Sequence, residues 1–136
     1  MALKRVRIEL ARSPDFPDGS TRHGYEFILP LNEDGSLDEK AWRSAPELCT
    51  VHRFWDGEDD LTGQLIRKRG GGWAFSYEPG DEDDEAIHRF EDHQFREGEY
   101  VSVRERDGET RTFRITLIRP APGFADANPG AASAKR

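Results

Sequence analysis

Apolar and polar residues alternate with a period of two along most of this chain, the spacing of strands with one face in a core. In "KRVRIELAR" Val6, Ile8 and Leu10 fall on one face, with Arg5, Arg7 and Glu9 on the other. "HGYEFILPL" sets His23, Tyr25, Phe27, Leu29 and Leu31 together, and Pro30 marks a strand end or edge. In "CTVHRFW" Cys49, Val51 and Trp55 oppose Thr50, His52 and Phe54. "LTGQLIRK" and "GWAFSYE" follow, joined across Gly70–Gly72, because glycine tolerates the positive φ of tight connections. Trp73, Phe75 and Tyr77 share a face of the second. "EYVSVRER" and "TRTFRITLIRP" flank Asp107-Gly108, the clearest hairpin signal. A two-residue loop there would set Val103 against Thr112, apolar against polar. A one-residue shift pairs Val103 with Phe113, Val101 with Ile115 and Glu105 with Arg111, which predicts a longer turn or a bulge.

The pattern breaks in "LNEDGSLDEKAWRSAPELC". Asp34-Gly35 reads as a turn, Ser36 or Asp38 as a helix cap, and Pro46 limits the helix to about 38–45. About seven strands with short connections and one brief helix predict an all-β, mainly antiparallel fold, a small barrel or sandwich. Residues 1–120 are expected to form a single β domain. Residues 121–136, "APGFADANPGAASAKR", are small, polar and Pro/Gly-rich, the composition of a disordered tail.

Composition narrows the setting. The lone Cys49 excludes an internal disulfide, and its alternation places it in the core as an inert thiol. "MALKRVRIELARS" has no apolar stretch of signal-peptide type, and no apolar run reaches the length of a membrane span. The expectation is a cytoplasmic protein without membrane contact. The formal charge of −7 is concentrated in one segment. Between Glu78 and Asp92 stand Glu78, Asp81, Glu82, Asp83, Asp84, Glu85, Glu91 and Asp92, against Arg89 alone. Such a run reads as a solvated loop, or as a docking strip that attracts a basic partner.

Candidate chemistry is sparse. The four histidines, His23, His52, His88 and His93, with Glu91 and Asp92, are the residue types of a metal or acid–base site. No H-x-H pair or H-E-x-x-H helix fixes their geometry, and "VHRFW" and "IHRFE" read as similar strand faces. No nucleophile elbow or phosphate-binding glycine loop is present, and no cofactor is implied. "IRKRGGGWAFSY" sets Arg67, Lys68 and Arg69 beside the Trp73, Phe75 and Tyr77 stripe, which resembles a base-stacking platform. Aromatics at period two in a small β domain are nonetheless ordinary core, and the −7 charge disfavours nucleic acid.

The sequence therefore predicts a non-catalytic binding module. Its expected partner is a basic protein, or a small ligand in the barrel mouth. The expected surface joins Asp81, Glu82, Asp83, Asp84 and Glu85 of the acidic 78–92 loop to Arg67, Lys68 and Arg69 at the tip of hairpin 67–73. The alternatives are a metal-dependent or acid–base enzyme using the histidines, and a single-stranded nucleic-acid binder using the basic tip with Trp73.

Overall fold

A computed structural model describes residues 3–68, 72–77, 85–87, 94–105 and 107–121. Eight strands form a closed barrel in simple sequence order: β1 (Leu3–Leu10), β2 (Ser20–Pro30), β3 (Thr50–Trp55), β4 (Leu61–Arg67), β5 (Trp73–Ser76), β6 (Glu85–Ile87), β7 (Tyr100–Arg104) and β8 (Thr110–Pro120). Each strand pairs antiparallel with the next, and β8 returns to pair antiparallel with β1. An even strand count lets a meander close this way, which removes the free edges an open sheet would expose. The strand beyond the expected seven is β6, three residues long and set inside the acidic segment.

Inward positions follow the predicted phase. Val6, Ile8, Leu10, Tyr25, Phe27, Leu29, Val51, Leu65, Trp73, Phe75, Val101, Phe113 and Ile115 are buried in one cluster. Cys49 joins that core, where burial pushes its thiol up to about 11. Trp73 and Phe75 are thus core residues, and the stacking-platform reading of this stripe fails because its first two rings face inward. Tyr25, Phe27 and Phe75 touch ring to ring at 5.0–5.1 Å. The interior is filled by its own side chains, as small barrels require.

Helix α1 (Glu39–Ser44) matches the expected span, with the Asp38 carboxylate accepting from the Ala41 N–H at 3.0 Å. A 3₁₀ turn, Pro46–Leu48, leads from it into β3. The helix covers one end of the barrel: Trp42 meets Trp73 edge-on at 4.8 Å and donates its indole N–H to the Leu65 carbonyl at 3.2 Å. Trp42→Ala is expected to lower stability by about 2–3 kcal/mol, less than for a fully buried tryptophan, as read by chemical denaturation.

The β7–β8 register departs from expectation. Val103 lies opposite Arg111 and Val101 opposite Phe113, so the strands slip the other way from the predicted pairing. The tip is longer than two residues, as anticipated. Glu105 N–H donates to Glu109 O at 2.8 Å, Gly108 takes φ +87°, and the Asp107 carboxylate accepts from the Glu109 N–H at 2.9 Å. That side-chain bond holds a compact turn while keeping apolar positions on the inner face.

Among the described residues no helix is long and apolar enough to cross a membrane.

Candidate functional site

Opposite the helix, the barrel ends in its turns. The β1–β2, β3–β4 and β7–β8 connections open there, as do the C-terminus of β5 and the N-terminus of β6. At this turn end the inward phase carries charge. Arg53 follows Val51, Glu85 precedes Ile87, Glu105 follows Val103, and Arg111 precedes Phe113. Glu85 is fully buried, and Glu105 and Arg53 are only 3% and 5% exposed. At the same end Phe16 packs against His23, and His23 against Trp55, ring to ring at 4.6–4.8 Å.

The buried groups form one connected network. The Tyr25 hydroxyl lies 2.5 Å from Glu105 Oε2 and 2.9 Å from Glu85 Oε1. The Tyr77 hydroxyl lies 2.7 Å from the same Glu85 oxygen. Arg111 donates to Glu105 Oε1, and the Arg53 guanidinium is 3.5 Å from Glu105 Oε2 and 3.6 Å from Glu85 Oε2. Glu58, on the β3–β4 turn, accepts from Arg53 at 3.0 Å. Arg53 also stacks over Trp55, its guanidinium carbon 4.3 Å from the ring centroid.

Counting protons assigns the charges. Tyr25 has one hydroxyl proton and two carboxyl oxygens within reach, so both contacts are hydrogen bonds only if one carboxyl is itself protonated. Among the described residues, Glu105 is held by two arginines, and Arg53 reaches Glu85 at 3.6 Å. Burial pushes the Glu85 carboxyl above its ordinary value, further raised by the Glu105 charge, with the two tyrosine hydrogen bonds and Arg53 opposing. Of the two carboxyls, Glu85 is the one whose burial favours the proton. With the proton there, the chain runs from Tyr77 to Glu85, from Glu85 to Tyr25, and from Tyr25 to Glu105, which Arg53 and Arg111 clamp. Both phenols are pushed upward, by burial first and by the neighbouring carboxylates, and stay protonated.

Among the described residues both carboxyls are buried, and the network forms a polar layer of the barrel core.

The residues singled out from sequence are dispersed. Glu85, expected on a solvated acidic loop, is inside the barrel because β6 must cross the wall to close it. That crossing also divides the 78–92 segment. Glu85 is at the turn end, paired with the level of Phe75, while Ile87 is toward the helix end beside Trp73. Arg67 and Lys68 also lie at the helix end, where Arg67 pairs with Glu39 and stacks on Trp73. Glu85 is therefore buried away from any surface that Arg67 and Lys68 share. Asp81, Glu82, Asp83, Asp84 and Arg69 lie outside the described residues, as do His88, His93, Glu91 and Asp92.

The two described histidines do not converge. His23 faces inward, Nδ1 2.6 Å from the Ser20 hydroxyl, and burial lowers its pKa. His52 faces outward, Nε2 2.8 Å from Asp60. They sit on opposite faces of the wall, which parts this half of the proposed metal set, and no group of three metal-ligating side chains occurs among the described residues.

Sequence reading missed Tyr25, Arg53, Glu105 and Arg111 as a unit. The available signal was phase: each falls on the inward register of its own strand. No family model, curated protein or solved structure matches the chain.

Proposed function

We propose that this protein is a non-catalytic binding module whose turn end docks a basic protein partner. The observation that carries the reading is where the connections fall. Asp15 and Asp18 lie between β1 and β2, Asp56, Glu58, Asp59 and Asp60 between β3 and β4, and Asp107 and Glu109 between β7 and β8. All three connections open on the same end. The acidic run Asp81–Asp84 belongs by sequence to the connection between Ser76 and Glu85, both at that end. Loops on a rigid barrel suit recognition, and carboxylates of one sign raise the encounter rate with a cationic surface. The burial of Glu85, Glu105 and Arg53 beneath the strand ends supports surface binding over acid–base catalysis within the barrel.

A defined arginine-rich peptide and two charge-matched variants test this. Asp59→Lys/Asp60→Lys/Glu109→Lys reverses exposed acids at the turn end, and Glu33→Lys/Glu47→Lys/Glu99→Lys does so at the helix end. The first is expected to weaken peptide binding about tenfold or more, with the loss shrinking as salt screens the charges. The second is expected to leave affinity within about twofold. Equal losses in both would mean that net charge alone attracts the peptide, and the docking surface would be rejected.

A further inference from the structure

A concavity of about 1030 Å³ lies on the outer wall, where the β1–β2 connection overhangs β8 and β7. Its charge opposes that of the chain. Arg12, Arg22 and Arg114 line it, together with the carboxylates Glu9 and Asp18. Glu9 is already engaged by Arg7 at 2.7 Å, so Asp18 alone offsets three guanidinium groups. Arg12 and Arg114 have no ion pair among the described residues, and exposed Arg22 reaches Asp56 only at 3.9 Å. By contrast Arg7, Arg43, Arg53, Arg67, Arg111 and Arg119 are each held by a closer carboxylate.

An aromatic ring stands beside these cations. Tyr100 is 53% exposed, the one exposed large hydrophobic residue among those described. It lies directly across from Arg114 in the β7–β8 ladder, and Thr112 and Thr116 flank Arg114 on the same outward face. Free guanidinium forks match phosphate oxygens, and an exposed phenol ring offers a face for a planar group. The volume suits one small ligand, and Asp18 with the −7 background disfavours a long polyanion.

We infer that this groove binds a mononucleotide, its phosphate against Arg12 and Arg114 and its base on Tyr100. The groove shares Asp18 with the docking surface proposed above, but the two are tested on different residues, so either can fail while the other stands.

The test is a titration of the intact protein with adenosine 5′-monophosphate, adenosine, inorganic phosphate and a short oligoadenylate, followed by calorimetry and by amide shifts. The monophosphate is expected to bind about tenfold or more tightly than adenosine. Shifts should map to Arg12, Arg114 and Thr112. Arg114→Gln, at an exposed position that leaves the fold intact, should remove the advantage of the monophosphate over the nucleoside. Tyr100→Ser should weaken the monophosphate but not inorganic phosphate. Equal binding of nucleoside and monophosphate, no binding of either, or shifts confined to other residues would overturn the inference. Binding of the oligonucleotide far more tightly than the mononucleotide would also overturn it, in favour of a strand-binding groove.

Discussion

Glu105→Gln is expected to destabilise the barrel by about 3 kcal/mol or more, whereas Glu85→Gln is expected to stay within about 1 kcal/mol of the parent at neutral pH. Both remove a carboxylate from the same buried network, so the contrast depends on the proton count. Without the Glu105 charge, Arg53 is left in the wall with Glu58 as its remaining ionised partner, and Arg111 with Asp107. Glutamine at 85 is a neutral isostere of the protonated carboxyl: with its amide nitrogen in the Oε1 position it donates to both tyrosine oxygens, and its carbonyl faces Arg53. The pH dependence has a definite sign. The folded Glu85 carboxyl is raised, so between the unfolded value near about 4.3 and the folded one the native state holds the extra proton. Stability supplied by that proton is fully present below the window, declines as pH rises through it, and is level above it. Glu85→Gln should abolish that decline, read as unfolding free energy from denaturant titrations across pH. Equal costs for the two substitutions, or an unchanged slope in Glu85→Gln, would refute the assignment.

Gly63→Ala is the second change expected to act strongly, at about 3 kcal/mol or more. A Cβ on Gly63 would lie 2.1 Å from the Ser76 carbonyl oxygen and 2.9 Å from Tyr77 Cα. Both are backbone atoms, so β4 and β5 must part where they approach most closely. Tyr77 is the outer member of the hydrogen-bonded chain, and pushing it away strips Glu85 of one donor. The variant should show a lower midpoint and an altered tyrosine environment in near-ultraviolet circular dichroism. An alanine accommodated with neither change would mean that the close approach is not required. Gly24 occupies a comparable place, its Cβ position 2.0 Å from Ile8 O beside the β1 bulge.

Much of this architecture was legible in the chain. Period-two phase identified the inner faces of β1, β2, β3, β5, β7 and β8, and Asp38 and Pro46 bracketed the helix. The eighth strand was hidden because three residues, Glu85–Ile87, give too little alternation to stand out from acidic neighbours. Its inward residue is a glutamate, which hydropathy assigns to solvent. Arg53 and Glu105 were obscured in the same way. A charge on an inner phase resembles noise until closure brings its counter-charge from a strand far along the chain. Tyr25 and Glu105 meet across eighty positions, a distance local patterning does not encode. The observed β7–β8 register and the expected one both keep apolar positions on the inner face, so alternation could not choose between them. The groove was also invisible, because Tyr100, Arg114 and Arg12 come from three separate stretches of chain.

The β1–β8 seam has a consequence for how the molecule is made. The first and last strands are partners, with Lys4 opposite Pro120 and Leu10 opposite Phe113. A nascent chain leaving the ribosome therefore carries β1 with one unsatisfied edge through the synthesis of every other strand. Arg53 likewise emerges long before Glu105 can neutralise it. Assembly is then a late, concerted event with mostly long-range contacts, a topology that folds slowly. Any stall or truncation before β8 would leave two open strand edges and a buried-type arginine exposed together, the form most in need of a chaperone's protection.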